Sequence, residues 1–190
     1  MSNYGLLING ELVKSDMTLD VINPATEEVF TQVPRADEAM LDQAVAGAKV
    51  AAAKWALTDI DERKALIHKI ADAINANIEP LAKALTQEQG KPLAAATMEV
   101  QYAEIFCRYF TSLNLENEVL VDDENQRVEV QRTPLGVVAG ILPWNFPLLI
   151  GIYKIAPSIL AGNSIILKPA PTTPVVSVML GEILKDVVPA

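Results

Sequence analysis

Val137-Val138-Ala139-Gly140-Ile141-Leu142 runs into Pro143-Trp144-Asn145-Phe146-Pro147; a helix-length stretch then closes at Ala161-Gly162-Asn163, and Ile165-Ile166-Leu167 ends on Lys168-Pro169-Ala170. The first run is apolar throughout and does not alternate, which is the pattern of a strand covered on both faces, as in parallel sheets. Pro143 ends it. From Leu148 onward, Leu148, Ile152, Ile155 and Ile159 recur at helical intervals until Gly162-Asn163 supplies a stop. The second apolar run is a second strand. Two parallel strands joined by a crossover helix make a βαβ unit, almost always right-handed, so the fold class is α/β.

This order sets Asn145 and Lys168 each just past the carboxyl end of a strand, beside each other if the strands are neighbours. Open α/β sheets bind ligands at that edge, so a pocket is expected there. An Asn carboxamide is a neutral donor that can face a developing oxyanion without titrating. A Lys at a strand end offers three donors and a positive charge to ribose hydroxyls or phosphate oxygens. Taken singly, an Asn between prolines also suits a turn and a Lys after a strand suits a solvated end; the shared edge is what joins them. Thr172-Thr173-Pro174 reads as a hydroxyl N-cap with proline at the first helical position, predicting a further helix whose N–H groups face the pocket mouth. A membrane span over residues 135–153 fits poorly, because prolines, glycines and an amide interrupt it.

The segment resembles the aldehyde dehydrogenase superfamily in the order and spacing of Pro143–Pro147, Ala161-Gly162-Asn163 and Lys168-Pro169-Ala170. Upstream, Ile8-Asn9-Gly10-Glu11, Ile22-Asn23-Pro24-Ala25-Thr26-Glu27-Glu28, Glu88-Gln89-Gly90-Lys91-Pro92 and Pro134-Leu135-Gly136-Val137-Val138 extend the resemblance over essentially the whole chain. It implies an aldehyde dehydrogenase-like fold: an incomplete Rossmann-type coenzyme domain (residues 1–115 and 134–190) with N-terminal β-hairpins, a helical region, and a β arm over 116–133 for homo-oligomerisation. By the same resemblance Asn145 is the side-chain donor of the oxyanion hole, and Lys168 holds the adenosine ribose of NAD or a 2′-phosphate of NADP. Ile141, Leu142, Pro143, Trp144 and Asn145 lie along the cofactor with Lys168, Pro169, Ala170 and Pro171. Phe146, Leu149, Ile150 and Tyr153 line the aldehyde tunnel. Pro171 departs from the pattern: NAD-preferring members carry a Glu there, which holds the ribose hydroxyls and repels a 2′-phosphate. Proline does neither, so both NAD and NADP stay open.

The implied reaction oxidises an aldehyde to a carboxylate through a cysteine thiohemiacetal, and the resemblance places its nucleophilic cysteine and general-base glutamate downstream of Ala190. The one cysteine is Cys107, set with Ala103, Phe106 and Phe110 at helical spacing and read as core. A donor without a nucleophile forms no covalent adduct, so the chain alone is expected to be inactive. The alternative is a non-catalytic dinucleotide-binding or oligomerisation module.

Net charge is −9, with 24 acidic against 15 basic residues and no basic patch, which disfavours nucleic acid. One cysteine excludes an internal disulfide and, with no signal peptide read, points to the cytoplasm. His68 reads as solvated, and no metal-site spacing exists. Two parallel strands alone are marginal, so apolar faces are expected to stay exposed and promote self-association.

Along the remainder, Asn9-Gly10 predicts a type I′ hairpin between Leu6-Leu7-Ile8 and Leu12-Val13; a second turn at Asn23-Pro24 separates Val21-Ile22 from Val29-Phe30. Helices follow from Asp37 (stripe Leu41, Val45, Ala48, Ala52, Trp55), from Thr58 or Asp59 (Ile60, Ile67, Ile70, Ile74, Ile78), from Pro80 to Gly90, and over 93–113. Residues 114–124 read as an acidic loop, and Arg127–Gln131 as a half-exposed strand.

Overall fold

Asn-Gly at the first turn does what its residue types allow. Asn9 and Gly10 adopt φ of 52° and 77°, and β1 (Leu6–Ile8) pairs antiparallel with β2 (Glu11–Val13). The computed structural model describes residues 4–189; residues 1–3 and 190, the ends of the expected coenzyme domain, lie outside them. A second hairpin joins β3 (Thr18–Asn23) to β4 (Glu28–Pro34).

Four helices follow. Asp37 caps α1 (Glu38–Trp55) by accepting from the Met40 N–H at 2.8 Å, and Asp59 caps α2 (Ile60–Ala76) through the Asp61 N–H at 2.8 Å. The third helix, α3 (Ile78–Gln89), opens two residues ahead of Pro80. A proline in the first turn removes an N–H that has no intrahelical partner, so it marks the beginning of a helix without fixing its first residue. Gly90 ends α3 with φ 82°, and α4 (Leu93–Thr111) begins after Pro92. The stripe on α1 holds only in part: Ala52 is buried but Leu41 is half exposed. The reason is that α1 is moored by its later turns, where Ala48 O accepts from Ser164 Oγ at 2.8 Å and Trp55 Nε1 donates to Ile159 O at 2.9 Å.

The expected loop over 114–124 needs correction, because Glu118–Asp122 forms β5 and pairs antiparallel with β6 (Arg127–Val130). Acidic residues hid a Val-Leu-Val run, and Asp123 tightens the turn by accepting from the Asn125 and Gln126 N–H groups.

The βαβ unit is as read: β7 (Val137–Ile141), α5 (Pro147–Leu160) and β8 (Ser164–Lys168), the strands parallel from Val137 opposite Ser164 to Ile141 opposite Lys168. Both α1 and α5 pack against the pair. At the end of α5, Gly162 takes φ 85°, and a Cβ there would lie 2.7 Å from the Arg63 guanidinium. Arg63 in turn donates to Leu160 O and Ala56 O, a cation set on the carbonyl end of the helix. Asn163 closes the unit by accepting from the Gly136 N–H at 2.9 Å. The last helix, α6 (Val175–Leu184), packs on α3 and β1. The main core holds the helices together through Ile67, Ile70 and Ile74 of α2, Leu81 and Leu85 of α3, Val100 and Cys107 of α4, Leu148 and Ile152 of α5, and Val176 of α6, and a second cluster of Val21, Val33, Ala84, Val175 and Val178 joins the β3–β4 hairpin to α3 and α6. Among the described residues, no helix is long and apolar enough to cross a membrane.

Candidate active site

The loop between β7 and α5 starts as a continuation of the sheet. The Leu142 N–H donates to Lys168 O at 3.0 Å, one rung beyond the last paired residues. Asn145 and Lys168 therefore leave the sheet at one edge, the juxtaposition expected from their order. Both are exposed. The Asn145 carboxamide forms no hydrogen bond among the described residues, whereas its backbone carbonyl is gripped twice, by Gln89 Nε2 at 2.6 Å and Lys91 Nζ at 3.1 Å. Gln89 Nε2 also donates to Trp144 O at 3.3 Å.

Behind the loop lies a buried carboxylate. The Glu99 side chain has no solvent exposure; it accepts from the Leu148 and Leu149 N–H groups at 3.1 and 3.2 Å and pairs with Lys91. It thus satisfies the first free donors of α5 from a different helix. The Lys91 ammonium stands 4.4 Å from the centroid of the Phe146 ring. Gln89, Lys91 and Glu99 went unassigned in the sequence. The available signal was a charged residue within the buried stripe Ala96, Val100, Ala103 and Cys107 of α4, where a lone carboxylate demands partners.

The same device recurs at α6 and corrects the cap expected there. No side chain of the Thr172-Thr173-Pro174 segment caps the helix, and Pro174 itself occupies the N-cap position. Glu88 reaches across from α3 and accepts from the Val175 and Val176 N–H groups at 2.6 and 3.1 Å. Those donors are consumed by protein and do not face a pocket mouth. Burial pushes the Glu88 carboxyl up to about 8, with nearby Glu99 adding to the rise, against the two N–H bonds and Lys91.

A cleft of about 460 Å³ lies between β3, the end of α3 and the segment after β8, bordered among others by Glu88, Gln89, Trp144, Pro171 and Thr173. It includes Trp144 and Pro171 of the expected cofactor residues but not Asn145 or Lys168, which stand on the open edge. That edge carries Ile141 at 71% exposure, Trp144 at 62% and half-buried Pro143 and Pro169, with Leu142 and Ala170 buried behind them. Among the described residues, Lys168 Nζ donates only to the neighbouring Pro169 O, at 3.1 Å. Its remaining protons are free, and an uncovered apolar rim beside a free ammonium fits a ring-and-ribose ligand such as a nicotinamide dinucleotide.

Phe146, Leu149, Ile150 and Tyr153 share one side of α5 and its approach. Phe146 and Tyr153 are exposed, Leu149 and Ile150 partly buried. Phe106 of α4 meets the Tyr153 ring edge-on at 4.6 Å, so the surface continues onto a second helix. Cys107 is fully buried, and burial followed by Glu104 pushes its thiol up to about 12. A neutral, inaccessible thiol is no nucleophile. His68 is exposed, and the described residues contain no cluster able to hold a metal ion.

Comparison with known proteins agrees with this geometry. A model of the aldehyde dehydrogenase family matches residues 12–190. The 3,6-anhydro-alpha-L-galactose dehydrogenase of Streptomyces coelicolor is 35% identical over 177 residues, covering 92% of this chain and 36% of the relative. A crystal structure of aldehyde dehydrogenase from Brucella melitensis biovar abortus 2308 superposes with a TM-score of 0.93 at 35% identity, covering 100% of this chain and 40% of that one. The NADP complex of NADP-dependent glyceraldehyde-3-phosphate dehydrogenase from Bacillus halodurans C-125 superposes with a TM-score of 0.91 at 29% identity, covering 98% and 41%. The chain therefore spans well under half the length of the relatives it matches. With motif, βαβ unit and superposition in agreement, the chain belongs to the aldehyde dehydrogenase family, whose members use NAD or NADP, and it corresponds to the amino-terminal part of that fold.

Proposed function

We propose that these 190 residues are the oxyanion-stabilising and cofactor-edge portion of an NAD(P)-dependent enzyme that oxidises an aldehyde, with water, to a carboxylate. The observation that carries the reading is the Asn145 carboxamide: exposed, without a hydrogen bond among the described residues, and mounted on a backbone whose carbonyl is doubly held at the sheet edge that also bears Lys168. A free amide on a fixed support is pre-organised to donate to charge that develops on a carbonyl oxygen. Lys168 would grip the ribose side of the dinucleotide, with Ile141, Leu142, Pro143, Trp144, Pro169, Ala170 and Pro171 along it; when bound, the nicotinamide supplies the hydride acceptor. Phe146, Leu149, Ile150 and Tyr153 would form one wall for the aldehyde.

The attacking thiolate and the general base would come from outside residues 1–190. The inert setting of Cys107 supports this, and the segment alone is expected to give no turnover. Residues 1–115 and 134–190 would form the coenzyme domain, and 116–133 the arm through which copies associate. The decisive test is N145A in the full-length enzyme that contains this segment: kcat is expected to fall about 10²- to 10³-fold, with dinucleotide affinity kept. Undiminished kcat would remove Asn145 from the mechanism.

A further inference from the structure

We infer that Gln89 and Lys91, either side of the Gly90 turn, are positioning residues that hold the Asn145 carboxamide in its working direction from behind the loop. The inference rests on the oxyanion role given to Asn145 above.

A side chain's direction follows from its backbone, because the allowed rotamers depend on φ and ψ. The Asn145 peptide plane is fixed by two donors on one carbonyl: the Gln89 amide at 2.6 Å and the Lys91 ammonium at 3.1 Å. Gln89 also holds the preceding carbonyl, of Trp144, at 3.3 Å, so a single amide nitrogen bridges consecutive peptide groups. The opposite end of that amide has no comparable use. Gln89 Oε1 is buried without a hydrogen-bond partner among the described residues, which opposes folding. Turning the amide over would set an oxygen against two carbonyl oxygens, so the placement favours the loop at the expense of the side chain itself.

Lys91 is anchored in turn. It pairs with fully buried Glu99, which holds the first two N–H groups of α5. The chain of contacts runs from Glu99 to Lys91 to the Asn145 carbonyl, and it ties the loop's exit into α5 to the same support as its middle. Gly90, with φ 82°, lets the chain reverse so that residues 89 and 91 both face the loop. The Gln89 amide donates to loop backbone carbonyls, so its effect passes through Asn145, whereas Lys91 also stands 4.4 Å from the Phe146 ring, which makes Gln89 the cleaner probe.

The test uses the full-length enzyme with N145A as the benchmark. Gln89→Leu removes both bridging bonds and leaves no buried charge. It is expected to lower kcat about 10- to 100-fold, as misplacement of a catalytic group does, while KM for aldehyde and for dinucleotide stays within about threefold. Lys91→Met is expected to behave likewise, and Lys91→Arg, which keeps charge and donors, to recover most of the lost kcat. If Lys91→Met does not fold, Gln89→Leu and Lys91→Arg carry the test. Parental kcat in Gln89→Leu, alongside a large loss in N145A, overturns the inference. So does a Gln89→Leu enzyme whose kcat falls only in step with a lowered melting temperature, which marks ordinary structural support. Parental kcat in N145A brings down the oxyanion reading instead, and this inference with it.

Discussion

Two buried glutamates do work that residue-level reading assigns to local caps. Glu88 is 3% exposed, and burial raises its carboxyl to about 8. A raised folded-state pKa means the native protein binds the proton more tightly than the unfolded chain does. Stability contributed by the protonated group is therefore full below the unfolded carboxylate range, about 4.3, and is lost as pH rises through about 8. The expected outcome is a melting temperature that declines between about pH 5 and pH 8 and levels off beyond, with the slope in that window reduced in E88Q; an equal slope in E88Q would assign the effect to other groups. Pro171 sets a second residue-scale expectation. Exposed beside the cleft and close in sequence to Lys168, it offers no negative charge to a 2′-phosphate. Replacing it with Glu should weaken NADP at least about tenfold relative to NAD, the size of a close like-charge contact, measured by titration of both cofactors. At this scale the shared placement of Asn145 and Lys168 was legible, because each follows an apolar run that forms one of two paired parallel strands. Gln89, Lys91 and Glu99 were not, because their partners lie about fifty residues away in sequence.

Helices α5 and α6 share a construction: each starts at or beside a proline, has no side-chain cap of its own, and receives a glutamate carboxyl group from an earlier helix at its first free N–H groups. Removing Glu99 would strip two N–H bonds from α5 and leave Lys91 without its counter-charge. E99A is expected to lower unfolding stability by about 3–5 kcal/mol, the range for breaking a buried pair, read from chemical denaturation as a lower midpoint at unchanged slope. A change below about 1 kcal/mol would mean that solvent replaces the carboxylate at that helix end. The start of α5 was legible from Pro147. The start of α6 was legible to within one residue of Pro174, but its cap was not, since Thr172-Thr173-Pro174 satisfies a local rule while a distant carboxyl group overrides it. The β5–β6 hairpin was half legible: β6 alternates visibly, but β5 lies in an acidic setting that resembles a loop, and only pairing makes it a strand.

Across the whole molecule the exposed apolar side chains are grouped. Met98, Tyr102, Ile105 and Tyr109 recur at helical spacing along one face of α4, each about half exposed, and Phe146 and Tyr153 lie on the α5 side, joined to α4 through Phe106. The hairpin adds Val119, Leu120, Val128 and Val130, and the β7–β8 pair has no third strand among the described residues. Contiguous apolar surface and open strand edges both favour association. The 190-residue segment by itself is therefore expected to sediment as a concentration-dependent mixture of species, and charge placed on these surfaces should reduce the larger ones. The two surfaces can be separated. Glu at Tyr102, Ile105 and Tyr109 would block contacts through α4, whereas Lys at Val128 and Val130 would block strand pairing through the arm. If the arm is the assembly element, V128K/V130K lowers the sedimentation coefficient of the full-length enzyme as well, and the α4 substitutions leave that assembly unchanged. A full-length assembly unchanged by V128K/V130K would take the arm out of the interface, and a clean, cooperatively melting monomer of the segment would show that a two-stranded parallel sheet, three hairpins and six helices suffice as a folding unit.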